Sequence, residues 1–437
     1  MTTTTLSAKE LVEKQRKFFR TGETKSVAYR IDALKRLRSG IETYQERILS
    51  ALRADLNKSE GEGFYTEIRL VLGEIDYTLK SLEEWVLPRT VPTSDQIPDG
   101  TSKIHPEPYG VTLVIAPWNY PFQLAFSPIV GAISAGNTVV LKPSELTPTV
   151  SKISAELIRE YFPEEFFAAM EGEVETSTEL LREKFDYIFF TGSTQVGKVV
   201  MRAAAEHLTP TTLELGGKSP SIVHADANLK SAAQSIVRGK FLNAGQTCVA
   251  PDYLLVHEDV RDAFIEELRQ EITNKHGEDV MQNPDFPHIV NGKNFDRLNA
   301  FLENGEKVIG GRSDREQLMI EPTLLQGITW DSPIMQEEIF GPILPMMTYT
   351  DLDEVIEKIV DRPKPLALYL FTRAQQVQDL VLNNVSFGGG CVNETLLHMS
   401  SHELPFGGVG DSGMGSYHGR QSFETFSHHK SMLVRNV

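Results

Sequence analysis

Along residues 6–86 apolar side chains recur three and four positions apart. Leu11, Phe18 and Phe19 open a stripe, and Ile31, Leu34, Leu37, Ile41 and Tyr44 continue it, with charged residues between them. That period predicts long amphipathic helices with one face on a core and the other in solvent. The pattern breaks at 87–110 (LPRTVPTSDQIPDGTSKIHPEPYG), which is rich in proline, glycine and serine and reads as extended or linking chain. A hairpin that reaches another subunit is one form it could take.

From 111 the pattern changes. VTLVIAP is a short continuous apolar run, as expected of a strand buried on both faces. Phe122 to Ala135 reads as a helix, 136–143 (GNTVVLKP) as a strand, and about 147–161 as a helix. KFDYIFFTG (184–192) reads as a strand and STQVGKVVMRAAAEH as the helix after it; TTLELGG and SIVHAD follow. The alternation continues over about 223–410, with candidate strands YLLVHE, EPTLLQGI, LALYLF and the segment before Gly388. Strand alternating with helix predicts parallel sheets covered on both faces. Ligands in such sheets sit at the carboxyl ends of strands, where Asn119, Lys142, Gly192 and Glu214 fall.

A chain of 437 residues exceeds one small core, so two or three domains are expected. The net charge of −17 disfavours nucleic acid or an anionic membrane as partner, since both need clustered cations. Two cysteines exclude a disulfide scaffold or a cysteine-rich zinc site and suit a reducing compartment. The eleven histidines show no metal spacing. MTTTTLSAKELVEK lacks the basic patch and apolar run of a signal peptide. No apolar stretch nears the roughly 20 residues of a membrane span.

Cys248 lies in FLNAGQTCVAPDYLLV, between a helix-like and a strand-like run. A lone cysteine there is either a small buried hydrophobe or a nucleophile; Cys391, in GGGCVNET, reads as the former. GSTQVG (192–197) follows a strand and opens a helix, whose free N–H groups suit a phosphate. It is neither G-x-G-x-x-G nor a P-loop, since Val199 stands where a hydroxyl would bind magnesium. Lys142 and Glu145, in KPSE, either bind ribose hydroxyls or are no more than a surface lysine and the residue after a helix-cap serine, Ser144. Glu214 is a ribose binder, a catalytic base, or a carboxylate capped by the Gly216 and Gly217 amides. Spacing leaves these alternatives open.

Seven segments, PWNYPF, LKPSE, FTGSTQVG, LELGGKSP, GQTC, EEIFGP and LPFGGVGDSGMG, run in order from 117 to 415. In this set and order the chain resembles the aldehyde dehydrogenase superfamily. The ending GMGSYHGRQSFETFSH, the short N-terminus and the length resemble its class 3 branch, which oxidises medium-chain, fatty or aromatic aldehydes. Membrane-bound members of that branch carry an apolar tail, so this chain is expected to be a soluble, cytoplasmic form.

The resemblance implies an α/β fold with two Rossmann-like parallel-sheet domains and a small oligomerisation arm. Residues 1–87 and 109–217 would form the NAD(P)-binding domain and 218–410 the catalytic domain. Segments 88–108 and 411–437 would form the arm of a homodimer. It implies Cys248 as nucleophile, Asn119 with the Cys248 amide as oxyanion donors, and Glu214 as the base that hydrolyses a thioester. Lys142 and Glu145 match the adenosine ribose site, and Ser193 with Gly192 and Gly197 the pyrophosphate turn. Glu338 matches the nicotinamide ribose site, with Phe340 near the ring and Asn393 near the substrate region. Tyr120, Phe122 and the 391–402 segment are further candidates for the pocket. Glu145 would repel an additional 2′-phosphate, which favours NAD and leaves NADP open. The expected ligands are a small-molecule aldehyde and this cofactor, with no metal. Alternatives are an acyl-transferring relative, against which Glu214 argues, and a non-catalytic scaffold, against which Cys248, Asn119 and Glu214 together argue.

Overall fold

Ser7 starts the first helix. Its hydroxyl accepts from the Glu10 amide while the Glu10 carboxylate accepts from the Ser7 amide, a capping box that satisfies two orphan donors. Helix Ala8–Phe19 buries Leu11 and Gln15, and Gln15 Nε2 donates to the Val139 carbonyl at 2.8 Å. Ser26 caps the long helix Val27–Leu56, which ends where Asn57 turns left-handed at φ 56°. Its predicted stripe is buried at Leu34, Leu37, Ile41 and Tyr44, facing helices Pro148–Tyr161 and Arg69–Trp85. Between these helices lies a π-helical turn, Phe64–Ile68. The computed structural model describes residues 6–435; the ends of the expected 1–87 and 411–437 segments, residues 1–5 and 436–437, lie outside them.

Strands Val111–Ile115, Thr138–Lys142 and Tyr187–Thr191 are buried along their whole length. They form a six-stranded sheet in the spatial order Gly413–Met414, Thr211–Glu214, Tyr187–Thr191, Val111–Ile115, Thr138–Lys142, Phe167–Ala169. All pairs are parallel except the first, where Gly413 pairs antiparallel with Glu214. The strand order reverses beside Val111–Ile115, and the loop carrying Asn119 leaves its carboxyl end. This is the switch point where doubly wound sheets bind ligands.

The second sheet has seven strands, in the order Glu306–Ile309, Thr323–Gln326, Ile343–Tyr349, Tyr253–His257, Pro220–Val223, Ala367–Phe371, Gly389–Val392. Only its first pair is antiparallel. The expected strand before Gly388 is instead the helix Gln375–Asn384, and the strand begins at Gly389. Its two-glycine start, after Gly388, hides it from an apolar pattern.

Residues 87–110 form the hairpin Arg89–Val91 and Gly100–Pro108. Strand Ser427–Arg435 pairs antiparallel along the whole of Gly100–Pro108, making a separate three-stranded sheet. The stretch after 411 thus first adds a strand to the six-stranded sheet and enters the small one only at Ser427. Among the described residues no helix is long and apolar enough to cross a membrane.

Candidate active site

Helix Leu229–Phe241 ends, and the chain turns through Asn243, Ala244 and Gly245 at φ 52°, 51° and 75°. Ala244 has a Cβ in the left-handed region, which costs on the order of 1–3 kcal/mol. A dense set of hydrogen bonds holds this turn in place. Asn243 Nδ2 donates to the carbonyls of Asn119 at 2.7 Å and Gln246 at 3.1 Å. Gln246 Nε2 donates to the Asn243 and His288 carbonyls, its Oε1 accepts from the Val290 amide, and Glu62 accepts the Asn243 amide. At Gly245 a Cβ would lie 2.3 Å from the Gly341 carbonyl oxygen, so only glycine lets the two loops touch. Cys248 emerges from this turn, half-buried, on the wall of a cavity of about 310 Å³.

Asn119 is 3% exposed, and its Nδ2 donates to the Gln246 carbonyl at 3.1 Å, two residues before the cysteine. The next residues of each loop also meet, through the Tyr120 and Thr247 hydroxyls at 2.6 Å. The amide and the thiol are thereby held as one unit. Burial pushes the Cys248 thiol far up, the nearby carboxyls of Glu338 and Glu214 push it further, and the Cys248 and Val249 amides pull the other way.

Glu214 closes strand Thr211–Glu214 and is 2% exposed. Neither carboxylate oxygen finds a hydrogen-bond partner among the described residues, and burial raises its pKa well above the ordinary value. The capped alternative is thereby excluded, because the Gly217 amide faces Glu338 instead. Glu338 lies so close over Gly216 that a Cβ there would sit 2.0 Å from its Oε2. Burial first, then Asp252, pushes Glu338 up to about 8 against the pull of the Gly217 amide, Lys218 and Arg297. Arg297 donates to the Glu338 and Ile339 carbonyls at 3.2 and 2.7 Å. Lys218 pairs with Asp252, which accepts the Ile339 amide at 2.9 Å. Phe340 is held at φ 51°, an uncommon conformation for an aromatic residue, with its ring edge-on to Trp118 at 5.3 Å.

Lys142 ends strand Thr138–Lys142 with its side chain 2% exposed. Its Nζ donates to the Pro143 carbonyl at 2.8 Å and to Glu145 at 3.2 Å. Gly192 donates its amide to the Glu214 carbonyl at 3.0 Å, tying that turn to the base of Glu214. Ser193 is the N-cap of helix Thr194–Ala205, its hydroxyl accepting from the Val196 amide, and Gly197 lies on Leu215. The same helix exposes Val196 and Val199, an apolar face beside its free amides. A nucleotide fits these features: amides for phosphate, carboxylates for ribose, an apolar face for a base.

Tyr120, Met399, Ser400 and His402 line the cavity with Leu124, Leu242, Val249, Phe406 and Tyr417. Phe122 does not; its ring is fully buried and stacks on Phe126 at 4.4 Å. Asn393 turns at φ 57° and bonds both backbone groups of Thr372, tying together two strand ends. Cys391 lies on strand Gly389–Val392 with its Sγ 3.5 Å from His398 Nδ1. A wider open hollow, about 560 Å³, between Arg420, Glu424 and His429 shares His402 with this cavity and holds none of the expected catalytic or cofactor residues. Sequence reasoning missed Lys58 and Glu67, which reach the Asn119 loop from the link after helix Val27–Leu56 and from the π-helical turn. As two charges among many in a helical pattern, they gave no signal.

A sequence profile described as the aldehyde dehydrogenase family matches residues 2–432. The chain is 50% identical over 422 residues to a 4,4'-diaponeurosporen-aldehyde dehydrogenase of Staphylococcus aureus, covering 96% of this chain and 92% of that protein. It is 44% identical to a dimeric NADP-preferring aldehyde dehydrogenase of Canis lupus familiaris, covering 98% and 94%. A substrate-bound Staphylococcus aureus AldH structure superposes with a TM-score of 0.97 at 48% identity, covering 99% and 95%.

Proposed function

The chain belongs to the aldehyde dehydrogenase family, and on that premise we propose how its residues divide the work of NAD(P)-dependent aldehyde oxidation. The Cys248 thiolate attacks the aldehyde carbon. The Asn119 side-chain N–H and the Cys248 backbone N–H hold the oxyanion that forms. A bound nicotinamide ring supplies the acceptor for the hydride that this adduct must lose. What remains on Cys248 is a thioester. Glu214 takes a proton from water, which adds to the thioester; the acid departs and the thiol is restored.

Lys142 and Glu145 hold the adenosine ribose, and Glu338 the nicotinamide ribose with Phe340 beside the ring. Gly192, Ser193 and Gly197 cradle the pyrophosphate. Residues 1–87 and 109–217 serve the cofactor, 218–410 the thiol, and 88–108 with 411–437 a homodimer contact. The name of one relative specifies a diaponeurosporen-aldehyde. The largely apolar cavity beside Cys248 supports a medium- or long-chain aliphatic or an aromatic aldehyde. A cytoplasmic setting suits two free cysteines.

The observation that carries this reading is the hydrogen bond that ties Asn119 to the loop bringing Cys248 to the cavity wall, with a buried Glu214, unpartnered among the described residues, near enough to act on the thiol. Its test is NADH and NADPH formation from a chain-length series of aliphatic aldehydes plus benzaldehyde and a cinnamyl aldehyde. Cys248→Ala is expected to abolish turnover and keep cofactor binding. Turnover retained in that variant would remove Cys248 as the nucleophile.

A further inference from the structure

A lysine and a glutamate with no exposed surface form an ion pair beneath the Asn119 loop. Lys58 and Glu67 are each 0% exposed and bond to one another. Burying two charges in an apolar interior is costly, and well-packed apolar residues of the same volume often serve stability as well or better. A pair kept at such a place needs a reason beyond stability. Its remaining hydrogen bonds supply one.

Lys58 Nζ donates to the Asn119 carbonyl at 3.0 Å and sits 4.0 Å from the centre of the Tyr120 ring. Glu67 Oε2 accepts the Phe122 amide at 3.0 Å and the Gln123 amide at 2.9 Å. Glu67 therefore pins the two amides at the start of helix Gln123–Ala135, while Lys58 pins the peptide three residues upstream. The short Asn119–Phe122 segment is clamped at both ends by one ion pair. The π-helical turn Phe64–Ile68 carries Glu67, and such turns frequently mark functional sites because they re-aim a side chain. The Asn119 carbonyl that Lys58 grips also accepts Asn243 Nδ2, from the turn that delivers Cys248.

We infer that Lys58 and Glu67 are positioning residues for the oxyanion donor: they fix the Asn119 backbone so that its side-chain amide faces the oxygen of the aldehyde attacked by Cys248. This rests on the reading of Asn119 as that donor. Neither charge lines the cavity beside Cys248. Donors that hold a developing charge must be set in place before it appears, because reorganising them during the reaction forfeits their benefit. Two charges desolvated together and bonded to three peptide groups hold that segment more rigidly than neutral hydrogen bonds would.

The test is a double-mutant cycle between the pair and Asn119, read in single-turnover hydride transfer and in kcat/KM. Lys58→Met/Glu67→Gln removes both charges together, so neither is left buried alone, and the side-chain carbonyl of the introduced glutamine can still accept an amide. That variant is expected to slow NADH formation in a single turnover at least tenfold. It should keep cofactor affinity, and iodoacetamide, whose reaction with Cys248 forms no oxyanion, should alkylate the thiol within twofold of the parent rate. In an Asn119→Ala background the same pair of changes should cost less than twofold, because the donor they aim is gone. A tenfold loss in both backgrounds would show a general structural role and overturn the inference, as would an unchanged rate in the parent background. If the pair matters but Asn119→Ala alone leaves kcat/KM unchanged, the donor assignment itself fails, and the inference falls with it. Should the double variant not fold, Lys58→Arg, which keeps the charge but reshapes its donors, should show the same background-dependent loss on a smaller scale; the same loss in both backgrounds would again overturn the inference.

Discussion

Glu214 is an expensive residue where it stands. A buried carboxylate without a hydrogen-bond partner is strongly disfavoured in its charged form, so the proton is held well above the usual carboxylate range. A general base works best with its pKa near the operating pH, and an elevated glutamate approaches that condition. The sign follows: at low pH the group is a carboxylic acid and cannot accept a proton from water. The rate of thioester hydrolysis is expected to climb with pH as Glu214 ionises. Glu214→Gln should still release a burst of NADH matching the number of sites, then turn over about 10²–10⁴-fold more slowly with no such climb. Stopped-flow absorbance across pH 6–9 reads both. A steady-state rate within twofold of the parent would remove Glu214 as the base. The same burial weakens the fold as pH rises, since the folded chain keeps a proton that the unfolded chain has lost above about 4.5.

At the scale of elements, the strands of the first sheet were the most legible part of the sequence. VTLVIAP, GNTVVLKP and KFDYIFFTG each contain one fully buried strand, because a strand covered on both faces leaves a continuous apolar run. Strand Ile343–Tyr349 is buried at all but Thr348 and was not anticipated; it follows EEIFGP directly, with no helical pattern to frame it. The strained turn 243–245 was likewise illegible, since nothing in Asn-Ala-Gly announces three successive left-handed residues. The clamps between distant segments were invisible for the same reason: they are long-range, and each partner alone is an ordinary charge. Glu74 shows this well. From helix Arg69–Trp85 its Oε2 meets His402 Nδ1 at 2.9 Å, and its Oε1 accepts the Gly419 amide at 2.8 Å. One carboxylate thereby ties two stretches of the cavity wall to a helix, with Tyr77 stacked on the His402 ring at 4.8 Å. The hydrogen bond to Glu74 raises the His402 pKa above its ordinary 6.5, against the opposing effect of burial. A raised histidine stabilises the fold fully below its unfolded pKa and loses that contribution as pH rises through the folded value. His402→Gln should therefore lower Tm at pH 6 and have little effect at pH 9. An equal loss at both values would mean that packing, not charge, carries the contact.

For the whole molecule, the small sheet raises a question that the two large ones do not. Strand Ser427–Arg435 gives one edge to Gly100–Pro108 over nine paired positions, and its other edge has no partner among the described residues. Long open edges are templates for pairing, and proteins that stay monomeric blunt them with lysines, prolines or bulges. Here the outer half of the strand carries Met432, Leu433 and Val434, each more than 40% exposed, and the pairing shows no break in register. An edge of this kind is suited to a second copy of the chain, as the homodimer reading requires. Met432→Lys/Val434→Lys places two charges on one face of the strand without touching either large sheet. Because the chain carries a net charge of −17, added lysines reduce overall repulsion, so dissociation could not be assigned to net charge. Light scattering after size exclusion is expected to give a dimer mass for the parent and a monomer mass for the variant at micromolar concentration. A dimer that survives these changes would move the contact off this edge. A parent that is monomeric would end the homodimer reading and leave the chemistry of Cys248, which is assembled within one chain, unaffected.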